Sequence, residues 1–551
     1  MFRLMRIFSE YTLALAAVLA LSCGSVRAQD INPSVEVTND FASSVSDYDK
    51  VGIALSVPDS LRSFNLNFDY DVFSRPYAGA YEFTPYSIMF VPQTVRETRP
   101  AFLLNAGVGY TFHPVLNAVL SPRLGDKFAL TAYQDFSGYM GPYRGFDASL
   151  KRNGRWQGRD LSETVGVTGV LKLSSVELGL NLNYDGLFVQ DQFLTGRPYH
   201  DFGVKLGGHS IAGGKGAFAF DFVAGYNAVR EYNTIKPLTE DCVSLDGNMS
   251  FDLARKESVF EMALAADYVS HGSLLGGTMY NVNVTPRYVS SYRKLKYSIG
   301  AQLSVGSNMK TRHLWVYPDL RADLELFDFL NIFAGAGGGE SYNSYASLKE
   351  RNHHFYFNPE EYAKLDFSRS RYDVYAGLCG SIASRLQYDF RVGRAALSDS
   401  PMDALSSLGN YAVVDFADYK LTYADLSLVW KSHRIEANAG LHYRSTDILS
   451  GRAVFDLPAF SMDADVLYNL RNRIFVGMSV EAAQSRRLVG GGDTLAIPGW
   501  CNLGLYGEYR FNKTTTLWLR GGNLLNADVQ RIPFIAEDGL NFTAGICMNF
   551  R

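Results

Sequence analysis

Hydrophobic side chains recur at every second position along most of this chain, and that pattern restricts the fold more than any other feature. Leu540, Phe542, Ala544, Ile546, Met548 and Phe550 alternate with Asn541, Thr543, Gly545, Cys547, Asn549 and Arg551. Val176, Leu178, Leu180, Leu182 and Tyr184 alternate with Glu177, Gly179, Asn181, Asn183 and Asp185. A strand turns successive side chains to opposite faces, so each segment is a strand with one apolar and one polar face. About 22 segments between Phe102 and Phe550 read this way, and many have the roughly 9–11 residues a tilted strand needs to cross a bilayer.

The connections carry a second pattern. Links 137–164, 185–201, 337–371, 393–418 and 523–539 are long. Links 174–175, 289–294, 327–329 and 431–434 are short, and the two kinds take turns along the chain. Segment 115–121 fits least well, because its link 113–114 is short where a long one is due. Tight turns on one rim and long loops on the other mark outer-membrane barrels. Tyr110, Phe112, Tyr184, Tyr226, Tyr268, Tyr288, Tyr443, Tyr468, Tyr509 and Phe511 sit at or near the ends of apolar stripes. Aromatic rings at those places suit the headgroup level of a membrane.

Backbone N–H and C=O groups cannot stay unpaired in lipid, so such strands must close on themselves. The expected fold is all-β: a transmembrane antiparallel β-barrel of about 22 strands over residues 102–551. A barrel of that size is too wide for its own side chains to fill. Its polar faces carry charges of both signs, among them Glu177, Lys205, Asp221, Asp246, Arg287, Asp319, Arg321, Asp389, Arg391, Asp463 and Glu508. Charges at that density call for water or a polar plug beside them.

Composition narrows the classes further. Hydrophobic residues are 47% and charged residues 20%, which excludes a disordered chain. Beyond the N-terminus no apolar run is long enough for a membrane helix. A net charge of −4 offers no general attraction to nucleic acid. Residues 1–28 read as a secretory signal peptide: Arg3 and Arg6, an apolar stretch from Tyr11 to Cys23, and Val26-Arg27-Ala28 before a cut at Gln29. Leu21-Ser22-Cys23-Gly24 is a lower-ranked, lipobox-like alternative. Export through the periplasm places the barrel in a Gram-negative outer membrane. Cys242, Cys379, Cys501 and Cys547 are far apart, so neither a zinc site nor a disulfide framework is indicated.

Residues 29–101 precede the first barrel strand and are expected to form a short periplasmic or lumenal segment. At the other end, Ile497-Pro498-Gly499-Trp500, Leu503-Gly504-Leu505-Tyr506-Gly507-Glu508-Tyr509-Arg510-Phe511 and Leu517-Trp518-Leu519-Arg520-Gly521-Gly522-Asn523-Leu524-Leu525-Asn526 resemble the closing strands of TonB-dependent receptors. That resemblance covers roughly 102–551 and implies a 22-stranded barrel. It departs from the family at the end, where Phe550 is penultimate and Arg551 last, and at the front, where residues 29–101 are too few for the family's globular plug. Val35-Glu36-Val37-Thr38-Asn39-Asp40, Asp59-Ser60 and Phe68-Asp69-Tyr70 resemble plugless barrels of this type from Bacteroidota. Without a plug, TonB coupling does not follow from the resemblance.

Chemistry-bearing residues are sparse. His353-His354 lie in link 337–371 beside Glu350, Glu360 and Glu361; a solvated pair is the first reading and a metal site the second. His442 faces inward with Glu436 and Arg444, but nothing nominates a nucleophile, so no enzyme is expected. Link 137–164 holds Arg144, Lys151, Arg152, Arg155, Trp156 and Arg159, read as a soluble basic loop with anion binding as the alternative. Gly335-Ala336-Gly337-Gly338-Gly339 and Gly490-Gly491-Gly492 lack the strand–turn–helix setting of a phosphate loop. No catalytic, cofactor-binding or metal residue is nominated. The expected function is passage of a polar solute across the outer membrane. The alternative is a structural barrel in an envelope complex with periplasmic or lipoprotein partners.

Overall fold

The computed structural model describes residues 101–550 except 191, 193–195, 212–217, 233–236, 254–257, 273–276, 308–311, 356–364, 366, 384, 407–410, 451–452 and 491–494. All of them belong to the compact unit Thr98–Arg551. The expectations for residues 1–28 and 29–101 fall outside the described residues up to 100.

The strands pair antiparallel with their chain neighbours from β1 (Phe102–Tyr110) through β2 (Val115–Leu120) to β17 (Ile435–Ser450). Pairing continues through β19 (Phe460–Leu470), β20 (Ile474–Ala483), β23 (Trp500–Arg510), β24 (Thr515–Gly522) and β25 (Asn541–Phe550). β25 then pairs with β1 from Phe102↔Phe550 to Tyr110↔Phe542, which closes a 22-stranded antiparallel barrel. Three short strands lie outside the wall: β18 (Val454–Phe455), β21 (Arg486–Val489) and β22 (Ala496–Ile497). Closure leaves no unpaired edge, as a lipid setting requires.

The faces sort as the alternation demands. Leu178, Leu180, Leu182, Val204, Leu206, Ile299, Leu314, Val316, Leu517 and Leu519 stand exposed on the outside. Their chain neighbours turn inward and bond one another: Asn181 donates to Thr168 at 2.7 Å, and Arg287 donates to Asp319 at 2.8 Å and to Glu261 at 3.3 Å. In a water-soluble protein such an apolar band would be an aggregation hazard; on a closed barrel it is the lipid-facing belt. Exposed aromatics border it at both ends. Tyr226, Tyr268 and Tyr443 lie toward one rim, and Phe218, Tyr292, Phe327 and Phe511 toward the other.

Near the closing seam the inner wall is packed. Trp518 on β24 is buried, lies across Gly107 and Gly545, and donates its indole N–H to Asn105 at 2.6 Å. A side chain at either glycine would run into the ring, so the absence of a Cβ lets three strands share one aromatic.

One expectation needs correction. The long links are mostly strand: β3 (Phe128–Phe146) and β4 (Arg152–Lys172) continue the pairing through most of 137–164. β15 (Leu386–Leu405) and β16 (Ala412–Lys431) do the same through 393–418. Above the lipid belt neither face of a hairpin meets hydrocarbon. The apolar alternation stops there, while backbone pairing goes on. The segment expected at 115–121 is a strand, paired to both β1 and β3, and it keeps its short upper link.

Candidate functional site

The barrel has a short-turn rim, which holds both ends of its wall, and a long-loop rim. At the long-loop rim the hairpins lean together. β5 (Val176–Gln190) and β16 lie half the circumference apart, yet Leu187 and Val189 of one belong to the same buried cluster as Val413, Val414, Ala417 and Tyr419 of the other. The described part of link 343–366 between β13 (Leu330–Tyr342) and β14 (Phe367–Ile382), residues 343–355 and Leu365, joins this cluster through Tyr345, Leu348, Phe355 and Leu365. A second buried cluster joins Phe146, Leu150, Phe455, Leu488, Ile497, Phe534 and Ala536 from four more links. The mouth is therefore capped by the barrel's own loops.

The bridging link begins with a single short helix, α1 (Tyr345–Arg351), capped by Ser344, whose hydroxyl accepts the Ser347 N–H at 3.0 Å. Two buried carboxylates hold it to the wall. Glu231 at the end of β7 (Phe218–Glu231) accepts from the Tyr345 hydroxyl and, at 3.2 Å, from Lys349 Nζ; Arg197 stands 3.6 Å away. Lys349 also donates to the Phe355 carbonyl at 2.6 Å. Glu240 accepts the Tyr345 backbone N–H at 2.9 Å and the Tyr342 hydroxyl at 3.0 Å, with His271 Nε2 at 3.1 Å. Glu231, Glu240 and Lys349 are each at most 3% exposed. Charges so deep persist only when paired and hydrogen-bonded, so these contacts define a latch.

The basic stretch of 137–164 has a different role from the one expected. Arg144 is 1% exposed and pairs with Asp528 and with Asp538, the latter at 3.0 Å. Arg152 reaches Asp528 at 2.5 Å and Arg155 reaches Asp538 at 2.6 Å. The cations fasten link 523–540 to the β3–β4 hairpin; Arg144 is buried in doing so, while Arg152 and Arg155 keep more than half of their side chains exposed. Trp156 stacks on Tyr143 at 4.5 Å. A cavity of about 220 Å³ lies here, lined by Tyr143, Asp160, His354, Asn502, Asn523, Arg531 and Glu537 among others.

His353 and His354 are separated by function. His353 Nδ1 meets Asp160 at 2.8 Å, and the hydrogen bond to that carboxylate raises its pKa. His354 is buried edge-on to Tyr143, its Nδ1 has no partner among the described residues, and burial pushes its pKa down to about 4. No group of three His, Cys, Asp or Glu is placed to hold a metal among the described residues; Glu360 and Glu361 lie outside them. His442 meets Asp425 at 2.6 Å and Asp463 at 3.3 Å, so both ring nitrogens face carboxylates and neither meets a serine. The four cysteines are free. Gly335 to Gly339 lie inside β13, with a register shift between Gly337 and Gly339.

The latch has a pH dependence. Opened, His354 would take up a proton below its ordinary pKa of about 6.5; enclosed, it refuses one down to about pH 4. Closure therefore weakens as pH falls through that window. His353 works the other way: its raised pKa gives a contribution that is complete below the ordinary value and fades as pH climbs through the raised one. Protease cleavage within link 343–366 should rise on going from about pH 7 to about pH 5, by up to about tenfold per unit, and His354→Phe should abolish the rise.

Sequence reasoning did not find Glu231, Glu240, Tyr345 or Lys349. A Ser344 cap before a short helical stretch was the one local signal present.

No family description and no curated protein matches the sequence. Solved structures do. The FrpB iron transporter from Neisseria meningitidis (F3-3 variant) is 10% identical with a TM-score of 0.63 over 83% of this chain and 82% of that one. The siderophore receptor PirA from Acinetobacter baumannii is 9% identical, TM-score 0.61, over 82% and 80%. The copper transporter OprC is 12% identical, TM-score 0.57, over 82% and 80%. At such identities the likeness is one of fold: a 22-stranded barrel of the TonB-dependent receptor type.

Proposed function

We propose that this barrel, which shares the architecture of TonB-dependent receptors, passes a polar solute across the outer membrane of a Gram-negative cell through a mouth gated by link 343–366. One observation carries the reading: among the described residues, a wall with a polar interior is bridged at its long-loop rim by a segment held through buried ion pairs. The solved barrels with this fold include an iron transporter, a siderophore receptor and a copper transporter, which supports passage of cargo. An acidic stretch of inner wall, with Asp185, Asp201, Asp221, Asp246 and Asp267 around Lys205, favours cations over anions. Among the described residues no constellation supports catalysis, and residues 29–101 are assigned as a periplasmic or lumenal segment.

Liposome swelling with the refolded full chain tests this. Small polar solutes should enter, with cations ahead of neutral molecules and anions last, and faster once the latch is broken. A barrel impermeable even with a broken latch, and recovered from cells in fixed ratio with a periplasmic or lipoprotein partner, would instead support the structural role.

A further inference from the structure

The short-turn rim is electrically unlike the other. Its links carry Arg293, Arg385, Arg434, Arg471, Arg473 and Lys513, all exposed, and none makes an ion pair among the described residues. Asp126 and Asp328 are the acids in the described parts of these links. The other rim mixes the signs, as in link 523–540, where Asp528, Glu537 and Asp538 accompany Arg531.

Two of these cations lie against the lower aromatic border. Arg293 sits over the Tyr292 ring at 5.5 Å, and Tyr292 is 64% exposed. Arg473 sits over Tyr509 at 5.5 Å and donates to its hydroxyl at 3.1 Å. The rings mark the headgroup depth, so the guanidinium groups lie where lipid phosphates lie. The rim cations recur at the turns after β10 (Gly277–Tyr292), β14, β16, β19 and β23, a sector ten strands wide out of 22 in ring order. A soluble protein partner would approach from the aqueous side, whereas cations stacked on rings at headgroup depth face the leaflet itself.

We propose that the short-turn rim is a docking collar for anionic phospholipid headgroups, independent of what the barrel transports. Each cation near an anionic surface adds attraction that salt screens, and arginine can hold a phosphate through two parallel N–H bonds.

The test compares the full chain in phosphatidylcholine bilayers with and without about one-third phosphatidylglycerol. The wild type should unfold several degrees higher with the anionic lipid, and the gain should vanish in about 0.5 M salt. Changing Arg293, Arg385, Arg434, Arg471, Arg473 and Lys513 together to serine should remove the gain while leaving the midpoint in phosphatidylcholine unchanged. Should that variant fail to fold, native mass spectrometry of the wild type decides: about tenfold enrichment of anionic lipid on the barrel supports the collar. A wild type indifferent to lipid charge, a serine variant that keeps the gain, or recovery of an acidic protein on this rim in place of lipid would each overturn it.

Discussion

Glu231→Ala should turn a barrel that conducts weakly in planar bilayers into one that conducts strongly. Glu231 is the acceptor for Tyr345 and Lys349, with Arg197 beside it, and all four are buried. Removing the carboxylate strands a buried ammonium, and breaking such a pair costs about 3–5 kcal/mol. Link 343–366 can escape that cost by swinging into water, so the penalty falls on cap closure rather than on the wall. At about 1.4 kcal/mol per decade, the open fraction should rise by a hundredfold or more. The double change Glu231→Leu with Lys349→Met removes both charges and keeps apolar bulk, so it should stay closed. Equal conductance of the single variant, the double variant and the wild type would show that the latch does not gate the mouth.

The second large effect concerns the membrane itself. Leu180→Arg should cost about 2–4 kcal/mol in urea unfolding from phosphatidylcholine vesicles, because Leu180 is an exposed outward residue of the apolar belt. Asn181→Arg, one residue along, turns its charge into the polar lumen and loses the hydrogen bond to Thr168. That change should cost about 1 kcal/mol. Reversed or equal costs would mean that the faces have been assigned the wrong way round.

The reach of sequence reasoning can be judged from particular strands. β5 and β25 were legible because lipid on one side and a polar lumen on the other impose opposite chemistry on neighbouring residues, and a short window shows it. For the upper parts of β3, β4, β15 and β16 the sequence pattern predicts loops. Above the belt both faces meet similar surroundings, so the alternation that betrays a strand is gone although the pairing continues. The arginines of 137–164 were visible as charges, but their partners Asp528 and Asp538 lie nearly four hundred residues away in the chain. His353 and His354 are adjacent and chemically identical, and only their surroundings, a carboxylate for one and an apolar niche for the other, separate them.

What the amino-acid order determined alone was the wall: strand number, the sense of each face, and a closed cylinder, because a lipid solvent acts on every residue locally and leaves its mark at period two. What the folded molecule alone decided was the cap. Glu231 meets Lys349, Glu240 meets His271, and β5 meets β16 only after the cylinder has closed and its hairpins lean across the mouth. Contacts made between distant parts of a chain, each through one side chain, leave no repeating mark in sequence.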